Sequence, residues 1–310
     1  MILRPLKYIT VAIIALTTQG CFTGVESTPR ISDSELRREI INRADDANPV
    51  ADITPQPYRL WQRGKKFVVT DPKSSLVLST PSSAAKPYSG MELRYEATRW
   101  IISPTGDSLA TLLFSSTGGP VSFDTNLTPQ KLNQPDTKVS IPYVTEQSVV
   151  DSLAARLTGK DYYILTSTRF DTSHAQRRGP KFQPVRLIGV SPGTGIYPAT
   201  LTLVSLTAPA DTLLLDLSLS NRNDDTRTFN RQLSSSNPRD RYPSISSENW
   251  QHIIRSNVVI GMTRDECRLA LGTPADVARY SYPASYEIWT YPEGMRLQFT
   301  DGILTKKGRK

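Results

Sequence analysis

Apolar positions along this chain fall into short runs whose period changes several times. Leu36, Ile40, Ile41 and Ala44 recur at helical spacing behind Ser32-Asp33-Ser34-Glu35, a capping box, with Ile31 and Leu36 at staple spacing; Asn48-Pro49 ends that helix. From Trp61 the texture turns to strands. They are read at 66–70, 76–78, 93–102 (alternating, then apolar at its end) and 109–114, broken by Asp71-Pro72, Pro104-Thr105-Gly106-Asp107 and Gly118-Gly119-Pro120. Residues 124–142, with Pro129, Pro135 and Pro142, read as a long loop. Val149, Val150, Leu153, Ala154 and Leu157 then predict a helix closed by Gly159 at C′. Further strands follow at 161–167, 185–190, 199–206 and 213–219. Between the first two of these lies an exposed basic loop, 172–180, holding His174, Arg177 and Arg178. The Ser-, Asn- and Pro-rich stretch 234–242 reads as a domain boundary.

Beyond it, Ser246 or Ser247 caps a helix in which Trp250, Ile253 and Ile254 share a face. Thr263 and Glu266 make a second capping box, with Met262 and Cys267 at staple spacing. The helix 264–271 stops at Gly272 with Pro274 two residues on. Strands at 277–282, 287–291 and 296–299 and a short piece at 303–304 come next; Asp301-Gly302 suits a type I′ turn. The predicted fold class is α+β. A β-rich body of SH3-like or sandwich-like strands with one or two helices (subdomains 61–141 and 142–240) precedes a small α-α-β-β-β domain at 245–310.

Composition sharpens the picture. The chain has 310 residues, and hydrophobic residues make up 38%; with 17 Gly the apolar share is about 44%, enough for a core. Two Cys and two His cannot make a disulfide scaffold and argue against a zinc site. Arg4 and Lys7 precede a nine-residue apolar run, 8–16, too short to span a bilayer, and Gly20-Cys21 follows, so 1–20 reads as a signal peptide. Its removal takes the net charge from +8 to +6. With no basic block interleaved with aromatics, nucleic acid is not an expected partner.

Two resemblances add to this reading. Gly20-Cys21 resembles a bacterial lipobox, with Thr18 where the pattern prefers a Leu-like residue, a looseness similar to lipoproteins of the Bacteroidetes. The resemblance implies a thiol acylated at Cys21; residues 21–60 then read, from their polar start and helical periodicity, as the tether and amphipathic helix. Phe22, rather than Asp, after the Cys implies sorting to the outer membrane. No acidic run follows closely, which favours the periplasmic face. The second resemblance lies in Gly261-Met262-Thr263, Glu266, Leu271-Gly272-Thr273-Pro274, Trp289-Thr290-Tyr291 and Phe299-Thr300-Asp301-Gly302-Ile303-Leu304. These residues, in this order, resemble the SmpA/OmlA (BamE-like) domain over about 245–305. That domain's known setting implies protein–protein contact supporting outer-membrane assembly or integrity, with the sheet face or loops of 276–305 as the contact surface.

Chemistry-bearing residues have simpler roles. Cys267 and His252 are the one Cys/His pair to weigh as a nucleophile and base, but a staple position points Cys267 inward. His174 lacks a nearby carboxylate in sequence, Asp45-Asp46 closes a helix, and Asp224-Asp225 lies in a turn. Ser191-Pro192-Gly193-Thr194-Gly195 lacks the Gly-Lys-Ser/Thr end of a phosphate loop. The expectation is a non-enzymatic, lipid-anchored envelope protein with protein partners and neither metal nor cofactor. The alternative is a periplasmic peptide- or glycan-binding module with a β-barrel body. Metabolic labelling with an alkyne fatty acid is expected to tag the wild type and not Cys21→Ser; an untagged wild type refutes acylation.

Overall fold

The structure, a computed structural model, describes residues 48–209, 211–220, 222, 225–281 and 285–309. The expected signal peptide, Cys21, the expected helix over 32–48 and Asp45-Asp46 lie outside these residues, apart from Asn48.

Residues 66–146 build the first sheet from β1 (Lys66–Val69), β2 (Leu78–Ser79), β3 (Glu92–Ile102), β4 (Ser108–Ser116), β5 (Gly119–Asp124) and β6 (Val144–Glu146), with a one-turn helix α1 (Pro129–Leu132) before β6. Its strand order is β2-β5-β4-β3-β1-β6, antiparallel throughout. Helix α2 (Gln147–Leu157) follows β6 directly. Then come β7 (Asp161–Ile164), β8 (Thr168–Phe170), β9 (Gln176–Arg178), β10 (Pro184–Pro192), β11 (Ala199–Ser205), β12 (Thr212–Leu217), α3 (Phe229–Gln232) and β13 (Leu233–Ser234). These seven strands form the second sheet, in the order β13-β7-β10-β11-β12-β8-β9. Helices α4 (Ser247–Ile254) and α5 (Arg264–Leu271) lead into β14 (Asp276–Tyr280), β15 (Tyr286–Thr290), β16 (Met295–Thr300) and β17 (Ile303–Arg309), a four-stranded meander. The chain is thus β-rich with few helices. Among the described residues the orders end at β2 and β6 and at β13 and β9, so the body they form is two open antiparallel sheets and not a closed barrel.

Several local expectations change. Residues 72–76, partly expected as strand, are a 3-10 turn, because Pro72 presets a helical φ and the Asp71 side chain accepts the Lys73 N–H at 2.7 Å. The run ends before Gly118 as expected, but the break is a tight hairpin: Ser116 pairs with Gly119 across a two-residue turn, and Gly119, with φ +112°, already opens β5. The basic loop 172–180 is largely the β8–β9 hairpin. Within it Asp171 accepts from the Ser173 hydroxyl (2.5 Å), Arg177 Nε (2.6 Å) and the Ala175 N–H (3.0 Å), and its carboxyl is held well below the usual range, first by Ser173 and then by Arg177. The fourth C-terminal strand runs seven residues instead of two.

Each sheet buries one face on its own cluster. Trp61, Phe67, Tyr95 and Phe114 pack in tilted and edge-on pairs, with centroids 4.9–6.1 Å apart, over Leu93, Leu112 and Leu132. On the second sheet α2 lays down Val149, Leu153 and Leu157, and Gly159 (φ +85°) follows at C′. Val50 and Ile53 join that core from across the whole first sheet in sequence. The two sheets meet where β6 becomes α2. There Glu146 Oε2 pairs with Lys65 Nζ at 2.8 Å, with side chains 6% and 9% exposed, and also accepts the Gln56 N–H at 3.1 Å. Lys65 Nζ lies 5.6 Å from both the Trp61 and Phe67 ring centres. The C-terminal unit docks on the segment before β10. Lys181 Nζ donates to the α5 carbonyls of Leu269 (3.1 Å) and Ala270 (2.8 Å), a cation at a helix C-terminus, and Phe182 stacks on Trp250 at 5.1 Å.

Removing one member of a buried pair strands the other charge. Lys65→Met is therefore expected to cost about 3–5 kcal/mol in urea unfolding, and Lys65→Met/Glu146→Met to recover most of it; a single variant as stable as wild type would show the pair to be inert.

Candidate functional site

The C-terminal motif residues converge on one unit. Thr263 caps α5: its hydroxyl oxygen accepts the Glu266 N–H at 3.2 Å while Glu266 Oε2 accepts the Thr263 N–H at 2.7 Å. Buried Glu266 does more than cap, because Oε1 accepts from Asn249 Nδ2 of α4 at 2.8 Å and so couples the two helices. The segment before α5 is bonded to the last hairpin. Gly261 N–H reaches Leu304 O (2.9 Å), Leu304 N–H reaches Met262 O (2.7 Å), and Arg264 N–H reaches Gly302 O (3.1 Å). Asp301 and Gly302 have φ +50° and +81°, as a type I′ turn needs, and Gly261 sits at +95°. Tyr291 donates to Gly272 O at 3.1 Å, closing the α5 end beside buried Pro274. Trp289 and Phe299 pack at 4.6 Å, both inside the core with Met262 and Cys267. Glu287 gathers Arg264 (3.1 Å), Arg279 (3.1 Å) and the Trp289 indole Nε1–H (3.1 Å), and Arg268 stacks over Trp289 at 5.0 Å. On the opposite face Tyr280 and Tyr286 stack at 4.7 Å, half-buried, next to Ile288.

The candidate nucleophile and base are separated in role. Cys267 is wholly buried and burial pushes its thiol up to about 12, whereas the His252 ring meets Asn257 at 3.2 Å. His174 sits in the β8–β9 turn with φ +59°. Asp225 accepts the Arg227 N–H at 2.9 Å in an Asx turn; Asn223 and Asp224 lie outside the described residues. Among the described residues no group of three or more His, Cys, Asp or Glu is placed to hold a metal, and no helix is long and apolar enough to cross a membrane.

Two features escaped the sequence reading. The first is the far half of β3, which pairs with β4 alone beyond the reach of β1, leaving Trp100, Ile101 and Ile102 42%, 40% and 77% exposed. The apolar end of that run was visible in sequence, but its exposure was not. The second is a cleft of about 550 Å³ between the two body sheets, walled by the edge strand β6 with Tyr143 on one side and by Gly195, Ile196, Tyr197 and Pro198 on the other. Thr70 ties its ends: its hydroxyl donates to Gly195 O (2.7 Å) and its carbonyl accepts the Gly195 N–H (3.3 Å). The turn at Gly193 must be glycine, since a Cβ there would stand 2.0 Å from Tyr197 O. Tyr143 is held at φ +62°, a strained setting for a bulky residue.

No protein-family model, no curated protein and no solved structure matches this chain.

The Cys267 thiol has a raised folded pKa, so its contribution is intact below about pH 9 and is lost as pH climbs toward about 12, because the unfolded thiol ionises first. Wild-type stability is expected to fall across that window with an excess slope of about 1.4 kcal/mol per pH unit over Cys267→Ala; parallel profiles in paired urea titrations would refute this.

Proposed function

We propose that the chain is a lipid-anchored envelope protein that acts by binding another protein and carries no catalytic activity of its own. In this reading Cys21 holds it to the outer membrane on the periplasmic side, and its 245–310 unit is a SmpA/OmlA-type (BamE-like) domain. The observation that carries the interaction reading is the ribbon end of β3, where three consecutive large apolar side chains stand in solvent. Successive strand residues face opposite sides, so Trp100 and Ile102 share one face, and neighbouring exposed apolar side chains of this kind are a usual mark of a contact surface. The outer face of the C-terminal sheet, with the Tyr280–Tyr286 stack, supplies a second surface of similar character. The motif residues support the domain reading through their mutual bonds, though each of those bonds also has a purely structural value. In support of the anchor stands the signal-and-Cys order of residues 1–21.

Photo-crosslinking in envelopes from a probe at Ile102 or at Ile288 is expected to trap a discrete protein partner with the anchored chain and less of it with Cys21→Ser. Trp100→Ser/Ile102→Ser is expected to weaken the ribbon adduct at least tenfold without lowering the melting temperature. Recovery of no partner above the Cys21→Ser control refutes the interaction reading.

A further inference from the structure

We infer that the cleft between β6 and the 193–198 turn is a binding site for a neutral saccharide. It is independent of the anchor and of the surfaces just described. The first observation is Glu146. Its Oε2 is saturated by Lys65, the Gln56 N–H and the Ser148 hydroxyl, whereas Oε1, equally buried, has no hydrogen-bond partner. A buried carboxylate oxygen without a donor is costly, and Glu146 is among the residues that line the cleft, so a ligand donor that reached Oε1 by a small shift of the wall would be favoured.

The second observation is the charge and shape of the walls. Glu146 is the one charged residue among those lining the cleft, and Lys65 already balances it, so neither an anion nor a second cation is favoured. An uncharged O–H or N–H donor satisfies Oε1 without adding a charge. The volume of about 550 Å³ falls within the range of small-ligand sites. Thr70, Thr145, Ser218 and Ser220, which carry hydroxyls, and Tyr143 and Tyr197, which carry rings, are among the residues that line it. Sugar rings present a matching mixture: apolar C–H faces for an aromatic face, and hydroxyls around the edge.

The third observation is how the aromatic walls are held. Arg227 stacks on Tyr197 at 4.4 Å and is itself bound to Asp216, which also accepts from Thr194 (3.1 Å) and Thr200 (3.2 Å). The ring is thereby fixed before any ligand arrives, which lowers the ordering cost of binding. Tyr143 is fixed on the other side by its backbone, whose carbonyl accepts the Thr70 N–H at 2.8 Å. An extended peptide is the poorer occupant. Strand addition needs a run of edge backbone, and β6 offers three residues before the chain turns into α2.

The full chain in detergent is tested by saturation-transfer NMR and calorimetry against maltotriose, cellotriose and N,N′-diacetylchitobiose, with decaproline as the peptide probe. At least one saccharide is expected to bind with Kd of about 1 mM or tighter. Tyr143→Asn removes the ring while easing the left-handed backbone, so it is expected to melt no lower than wild type and to bind at least tenfold more weakly. Ile196→Arg, at a position 75% exposed on the rim, is expected to weaken binding while leaving folding unchanged. Three results overturn the inference: no saccharide binds, binding is equal in wild type and both variants, or decaproline binds where no saccharide does.

Discussion

The body of this protein turns on the buried Lys65–Glu146 pair. Glu146 ends the edge strand of one sheet and opens the helix that covers the next, so one side chain stands at the covalent passage from the first sheet into the second core. Lys65 arrives from before β1 and is wrapped by Trp61 and Phe67, which places its charge in an aromatic setting. Two ions this far from water are costly apart and tolerable only together. The pair therefore specifies one relative placement of β1, β6 and α2 more than it adds raw stability. The strained Tyr143 and the Thr70–Gly195 bonds sit within a few residues of this joint, so the cleft is a consequence of how the two sheets are fastened.

The C-terminal unit is fastened differently. Its sheet buries a helix pair through Trp289, Leu297 and Phe299, and the backbone of 261–264 is stitched to 302–304. It joins the body through the Lys181 ammonium on helix-terminal carbonyls, the Lys181 N–H donating to Ile254 O (2.8 Å), and the Phe182–Trp250 stack. Contacts of this kind are directional and small in area. They orient the unit while leaving the outer face of its sheet outside the three cores.

Legibility followed the range of the forces involved. The α5 cap, stop and bounds were readable because Thr263, Glu266 and Gly272 act within one or two turns of each other, and the Asp301-Gly302 turn because φ greater than zero selects those residues. Misreadings fell where one residue type serves two structures. Gly118-Gly119 serves equally as a terminator or a hairpin, and Leu76 is apolar yet 81% exposed on a turn preset by Pro72. The alternation of β3 was correct for its near half only, because burial requires a neighbour and the far half has β4 alone. Among the candidate site residues, capping and packing roles were visible in sequence; the coupling of Glu266 to Asn249 and of Tyr291 to Gly272 was not, since neither partner is near in sequence.

What the sequence determined by itself was local: the capped helices, most strand positions and the positive-φ turns. Tertiary structure alone decided what depends on residues far apart in the chain. Lys65 meets Glu146 across 81 positions, Thr70 meets Gly195 across 125, and Lys181 meets Ala270 across 89. No periodicity encodes such meetings, because they arise from how whole sheets bury their apolar faces, and it is these meetings that open the cleft and leave the apolar ribbon in solvent.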